Sequence, residues 1–293
     1  MNVGEKVRTL RQSKMMTQSE LAGTYMTRNM LSYVENGSAM PSLSTISYLA
    51  ERLNVPAGYF LSEPQDEIIY RKLIHMENIR KAYQEEEWWA CRSLCQTAFP
   101  EPDDEICFLL ARSSAGIAED ALEHGKLRKC CQTYDEALSW AAKTVYETPQ
   151  IEAEAAVSFR YMRRISPTLY SEILDADAQP TVTLCTPFAS YVEALDALDE
   201  GDLLPAELFR RRYGKSGFFA AHLAARGQIA NREFHAAKQA LESLLSSEET
   251  LTETRLYSLL MDLEVCCRET EDFKGAYRYA NDRVQLHEQL LRD

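Results

Sequence analysis

Between Thr27 and Gly37, in the stretch TRNMLSYVENG, the side chains of Arg28, Asn29, Ser32 and Tyr33 face away from the apolar stripe supplied by Met30 or Leu31 and Val34. A guanidinium, an amide and two hydroxyls gathered this way can make hydrogen bonds; they do not make a reaction centre. Nor does the rest of the chain supply one. It contains no GxSxG, no P-loop, no HExxH and no defensible Ser/His/Asp or Cys/His grouping. The five histidines (75, 124, 222, 235, 287) are scattered, and the eight cysteines show no CxxC pair or zinc-like spacing. The expectation is therefore no catalytic residues, no metal and no cofactor.

The elements that hold this polar face come from the first sixty residues. Val3, Val7 and Leu10 lie at i, i+4, i+7 spacing, which predicts a helix from Val3 to Ser13. Thr17 with Glu20 forms a capping-box pair ahead of Leu21 and Ala22, and Gly23 stops that short helix. Thr27 is a good N-cap for a third helix, Arg28 to about Asn36, closed by Gly37. A fourth, Leu43 to Leu53, is expected to bury Leu43, Ile46, Leu49, Ala50 and Leu53, and VPAGYFL to supply a closing turn with Phe60 and Leu61 available to the core. The second and third helices are joined only by GTYM, which forces a sharp angle and makes a helix-turn-helix.

Composition limits what such a face could meet. The chain has 293 residues, roughly two domains' worth, with 45% apolar and 26% charged side chains. Residues 1–65 hold six Lys/Arg and five Glu, leaving 26 of the 32 basic and 40 of the 45 acidic side chains to the remainder. Such an acidic body repels a phosphate backbone, so only the first segment can serve as a nucleic-acid surface. MNVGEKVRTL carries no apolar signal core, and no run approaches the ~20 apolar residues that span a bilayer. The expected location is the cytoplasm, without membrane association. Free cysteines buried as small hydrophobes fit that compartment.

The residues TQSELAG, TRNMLSYVENG, PSLSTISYLAERLNVP and YF resemble the Cro and C1-type (XRE family) helix-turn-helix of bacterial regulators, over residues 3–61. The turn is one residue shorter than usual, with Met26 where a glycine-valine pair is common. The resemblance implies that Arg28, Asn29, Ser32 and Tyr33 are the base-reading residues. Arginine can donate two hydrogen bonds to guanine and asparagine can bridge adenine, while Tyr33 could meet a thymine methyl or a phosphate. It also implies phosphate contacts from Gln18, Thr27 and Asn36, which set register. Glu35 is expected to be structural, paired with a first-helix arginine. So few basic residues imply weak binding by one copy, and a homodimer on a palindromic operator in double-stranded DNA would restore affinity.

After SEPQDE the pattern changes. EEEWWACRSLCQTA, HGKLRKCCQTYDEAL, NREFHAAKQALESLL and TEDFKGAYRYANDRV each place a large apolar residue three positions before a small one: Trp88/Cys91, Leu127/Cys130, Phe234/Ala237 and Phe273/Ala276. Two spacings are 39 residues. The pattern resembles degenerate tetratricopeptide (TPR) repeats. The expected fold is all-α: a five-helix repressor-type domain over 1–62, a linker over 63–70, and an α-solenoid of TPR-like helix pairs over 71–293 for dimerisation and effector binding.

This combination is similar to the peptide-pheromone receptor regulators of Gram-positive bacteria, which implies a short signalling peptide in the repeat groove. Arg160, Arg163 and Arg164, with Arg210, Arg211 and Arg212, are the polar groups expected there; the plainer alternative is a solvated helix face with local ion pairs. The function expected is a DNA-binding transcriptional regulator and not an enzyme. The competing expectation is a protein-interaction scaffold whose helix-turn-helix has lost useful DNA affinity.

Overall fold

The structure is a computed structural model that describes residues 2–63, 67–169, 171–174, 181–247 and 251–292. Among these residues it contains sixteen α-helices and no strand, so the all-α expectation holds. The chain divides into two compact units.

The first unit takes in residues 1–85 and 93–101. Its opening helices are α1 (Val3–Ser13), α2 (Gln18–Ala22), α3 (Arg28–Glu35), α4 (Leu43–Leu53) and α5 (Ala57–Leu61). Their starts are fixed by side-chain caps. Asn2 with Glu5 and Thr17 with Glu20 form reciprocal capping boxes, and Thr27 and Ser42 accept from the amides of Met30 and Thr45. Val7, Leu21, Leu31, Ile46, Leu49, Leu53 and Phe60 form the core. Three apolar side chains that the sequence offered to the core lie outside it: Met30 in the first turn of α3, Leu43 in the first turn of α4 and Leu61 at the end of α5 are all exposed. For Leu43 and Leu61 this corrects the sequence expectation, and of the alternatives Met30 and Leu31 it is Leu31 that faces inward.

Two close fits lock α1 into this bundle. A Cβ on Gly4 would come within 2.1 Å of the Val34 carbonyl oxygen, so only glycine allows α1 and α3 to touch there. Lys6 is buried, and its Nζ donates to the carbonyls of Tyr59 and Ser62, at 2.9 Å each, and to the Ser62 hydroxyl. That ammonium satisfies carbonyls at the C-terminal end of α5, where the helix cannot.

Of the expected linker over 63–70, residues 64–66 lie outside the described residues. Helix α6 (Glu67–Gln84) has already begun by Tyr70, whose ring meets Tyr59 edge-on at 6.3 Å. α7 (Trp88–Ala98) contributes residues 88–92 to the second unit and the rest to the first.

The second unit takes in residues 86–92 and 102–293. It contains α8 (Asp104–Glu123), α9 (Leu127–Ala141), α10 (Pro149–Ile165), α11 (Pro187–Asp199), α12 (Leu204–Tyr213), α13 (Phe218–Ala230), α14 (Phe234–Leu245), α15 (Glu253–Glu269) and α16 (Phe273–Leu290). α8 packs on α9, α11 on α12, α13 on α14 and α15 on α16, as expected of stacked helix pairs. α15 also packs on α8, α10 and α13.

The four sequence-marked positions Trp88, Leu127, Phe234 and Phe273 are the first residues of α7, α9, α14 and α16. Two residues before each, the backbone turns left-handed: Glu86 (φ 56°), Gly125 (φ 70°), Arg232 (φ 63°) and Glu271 (φ 58°). In the last three turns the following amide closes the preceding helix by bonding back to a carbonyl five residues earlier: Lys126 to Ala121, Glu233 to Gln228 and Asp272 to Cys267, at 2.8 Å each. The repeat is thus one turn geometry used four times, with glycine at only one of the four.

Candidate nucleic-acid interface

α3 is held from behind by one buried ion pair. The Glu35 carboxylate, whose side chain is 2% exposed, accepts from Arg11 Nε at 2.6 Å and Nη2 at 3.0 Å, and from Gln18 Nε2 at 2.8 Å. Arg11 also donates Nη1 to the Met16 carbonyl at 2.8 Å. One cluster therefore ties together α1, α2, α3 and the loop after α1. Burial by itself would raise the Glu35 pKa, but the hydrogen bonds from Arg11 and Gln18, with the nearby charges of Arg11 and Arg8, outweigh it and hold the carboxyl below its ordinary value. Glu35 pairs with a first-helix arginine, as its position suggested.

The shortened turn between α2 and α3 is braced by α4. Gly23 adopts φ +53°, and a Cβ there would lie 2.6 Å from the Tyr48 hydroxyl. That hydroxyl donates to the Ala22 carbonyl at 3.0 Å, and the Tyr48 ring stacks on Tyr25 with centroids 4.2 Å apart. These contacts set the entry into α3.

With Leu31, Val34 and Glu35 buried, the opposite side of α3 is left to Arg28, Asn29, Ser32 and Tyr33. Arg28, Asn29 and Tyr33 are exposed and Ser32 is half-buried. Among the described residues none of Arg28, Asn29 or Tyr33 has a side-chain hydrogen bond or ion pair. A guanidinium fork, an amide and a phenol are thus presented on two helical turns with their bonding capacity unspent.

The flanking residues differ from one another. Asn36, the C-cap of α3, is exposed, and the Thr27 hydroxyl oxygen caps Met30 while its proton remains available to donate. Gln18 is half-buried and already engaged by Glu35, a role that its position in the sequence did not signal.

In the second unit the expected effector arginines have other surroundings. Arg164 on α10 binds Asp196 Oδ1 at 2.8 Å and Asp199 Oδ2 at 2.6 Å, and Arg160 reaches Asp196 at 3.8 Å. Arg163 is half-buried on the same helix; Arg210 and Arg211 are exposed on α12.

The acidic partners extend into a buried relay. Arg226 bridges Asp199 and Asp262, the latter at 2.7 Å. His222 Nε2 donates to Asp262 at 2.9 Å, and its Nδ1 shares a hydrogen bond with the Tyr191 hydroxyl at 2.7 Å. Burial would raise the Asp262 pKa, but the hydrogen bond and charge of His222 and those of Arg226 together keep it below the ordinary value.

A separate cavity of about 370 Å³ opens between α8, α10, α11, α13 and α15, walled by Glu119, Glu154, Tyr161, Phe188, Phe219 and Arg255 among others. None of the six arginines from the sequence analysis lines it.

Residues 7–60 match the Helix-turn-helix family model. No curated protein matches the chain. Solved structures similar to it include PlcR of Bacillus thuringiensis in complex with the peptide PapR7 and DNA, at 14% identity over 100% of this chain and 99% of that one, TM-score 0.25. A point mutant of PrgX matches at 14% identity over 92% and 96%, TM-score 0.27. ComR from S. thermophilus with DNA and its signalling peptide ComS matches at 14% over 97% and 99%, TM-score 0.21. Residues 7–60 are a helix-turn-helix domain of the XRE type, and the chain continues from it as helical repeats.

Proposed function

We propose that this protein is a sequence-specific DNA-binding transcriptional regulator that works in the cytoplasm as a homodimer on a palindromic operator, under the control of a ligand held by its repeats. The observation that carries the reading is the α3 surface. Its inner residues are committed to the core and to Arg11, while Arg28, Asn29 and Tyr33 stand exposed with no partner among the described residues. Such side chains on a helix braced at both ends suit the major groove, with Arg28 read against guanine and Asn29 against adenine. Thr27 and Asn36 flank the face at positions suited to phosphates, and Gln18 can add its remaining amide proton.

Electrostatics favour two copies over one. Six basic groups against five acidic ones in residues 1–65 supply little counterion release, so useful affinity requires two half-sites ~10 bp apart. We assign dimerisation and effector binding to residues 71–293. The ligand class that the sequence resemblance implies is a short signalling peptide. It would act by binding one arrangement of the dimer more tightly than another.

The test is Arg28→Ala in a quantitative duplex-binding assay. The expected loss is ~1–3 kcal/mol, with relaxed preference at one base pair and stronger binding at lower salt for both proteins. Unchanged affinity and preference would favour the scaffold reading instead.

A further inference from the structure

We propose that the cavity between α8, α10, α11, α13 and α15 binds an organic cation: an amine or guanidinium carried on an apolar body, with its charge against Glu119 and its body on Phe188 and Phe219.

The volume, about 370 Å³, lies at the lower end of the ~300–1,000 Å³ usual for small-ligand sites. The floor is aromatic and fixed. Phe188 meets Tyr161 edge-on at 5.3 Å and Phe219 at 6.2 Å, and Phe219 stacks on Tyr191 at 4.4 Å. Rings held in place give an apolar body a fixed surface.

The wall decides the sign. Glu119 and Glu123 stand one turn apart on α8, with Glu154 opposite on α10. The cations near them have other partners: Arg112 binds Glu154, and Arg255 lies over the rings of Phe218 and Phe219 at 5.3 and 5.0 Å. Glu119 has neither hydrogen bond nor ion pair among the described residues.

Glu119 is exposed where it lines the cavity. Desolvation by the surrounding wall first, then the charge of Glu154, with Glu123 and Glu86 adding and Arg112 opposing, raises its pKa to about 7. With Glu154 paired to Arg112 and Arg255 laid over the rings, Glu119 and Glu123 are the wall carboxylates without an ion pair among the described residues, and they repel an anion. A cation is the ligand whose charge they complement.

The ligand's affinity should rise with pH through about 7, as Glu119 loses its proton. The charged groups acting on that proton are Glu123 and Arg112 on α8, Glu154 on α10 and Glu86 before α7, and Arg255 of α15 shares the cavity wall.

This site deepens the ligand-control part of the proposed function and rests on that reading only for the claim that occupancy matters to DNA. Binding is therefore measured on the full chain without DNA, by saturation-transfer NMR titration. The cationic probes are phenethylamine and an acetylated, amidated leucyl-lysyl-leucine tripeptide. The anionic controls are 3-phenylpropionate and the matching glutamyl tripeptide.

The expected result is that at least one cation binds, at least tenfold more tightly than its anionic control, and that Glu119→Gln weakens it at least tenfold. The tighter of the two cations identifies a free amine or a basic peptide as the source. Val157→Phe, which fills the cavity wall and leaves Glu119 in place, must also abolish binding, so the outcome does not hang on one variant. Binding of neither cation, equal binding of the anions, or indifference to both substitutions overturns the site. Failure here leaves DNA recognition standing, whereas a chain that takes the cation but ignores DNA loses only the regulator reading.

Discussion

Replacing Arg11 with methionine keeps most of the apolar stem and removes the guanidinium that anchors the recognition helix. Glu35 is then a carboxylate, 2% exposed, holding one hydrogen bond from Gln18 in place of three from two residues. Two charge-assisted bonds at ~1.5–3 kcal/mol each are lost, together with the bond to the Met16 carbonyl. Arg11 is 12% exposed, so some water can reach the vacated position, and the expected cost is about 3 kcal/mol. In a unit this small, ~4–8 °C per kcal/mol turns that into a fall of roughly 12–24 °C. Calorimetry of the full chain reads the N-terminal transition, and hydrogen exchange over α3 assigns it. The sign of the pH dependence is a second check. In the wild type the Glu35 pKa is depressed, so its contribution is complete above the ordinary glutamate value and is lost as pH falls through the folded one. In Arg11→Met, burial is opposed much less, so lowering the pH protonates the carboxyl and narrows the gap to wild type. Arg11→Met with Glu35→Met should recover most of the loss, because the uncompensated charge is gone. A cost below ~1 kcal/mol, or a double variant no better than the sum of the singles, would refute this account of how α3 is positioned.

Two further expectations concern the repeats. At the left-handed turns, Glu271→Gly should raise the midpoint of the repeat unit, by up to ~1 kcal/mol after the entropy of the unfolded glycine is set against the relieved strain. Gly125→Ala should lower it by more, because its Cβ would meet Glu253 Oε2 at 2.3 Å and Leu290 Cδ2 at 2.8 Å; thermal unfolding of both variants checks the pair. The depressed pKa of Asp262 predicts stability present above the ordinary aspartate value and lost as pH falls through the folded one. An acid titration followed by circular dichroism should therefore show Asp262→Asn destabilised near neutrality, with its deficit shrinking in acid.

Much of this molecule was legible from local chemistry. α1 and α4 begin and end where periodicity and caps placed them, and the four large-small pairs mark four helix starts. The Glu35 and Arg11 pairing followed from the cost of facing a carboxylate toward phosphate. What could not be read depends on partners distant in sequence. Arg164 looked available because Asp196 and Asp199 lie on the next helix of the stack. The bond from Gln18 to Glu35 was hidden because nothing local shows that its amide reaches that carboxylate. Leu43 fits the apolar stripe of α4, yet it stands in the first turn, outside the core. The left-handed turns were hidden because three of the four use Glu or Arg where glycine would have signalled them. The cavity draws on residues from Glu119 to Arg255, and no spacing rule brings those together.

The central claim is sequence-specific recognition by the exposed face of α3 in a dimer. In vitro selection from a random duplex DNA library at moderate salt, with purified full-length protein, tests it most directly. The account predicts enrichment of an inverted repeat with half-sites about one helical turn apart, and loss of that enrichment for Arg28→Ala with Asn29→Ala. Selection that yields no common sequence, in the presence and absence of the cavity's cation, would contradict it.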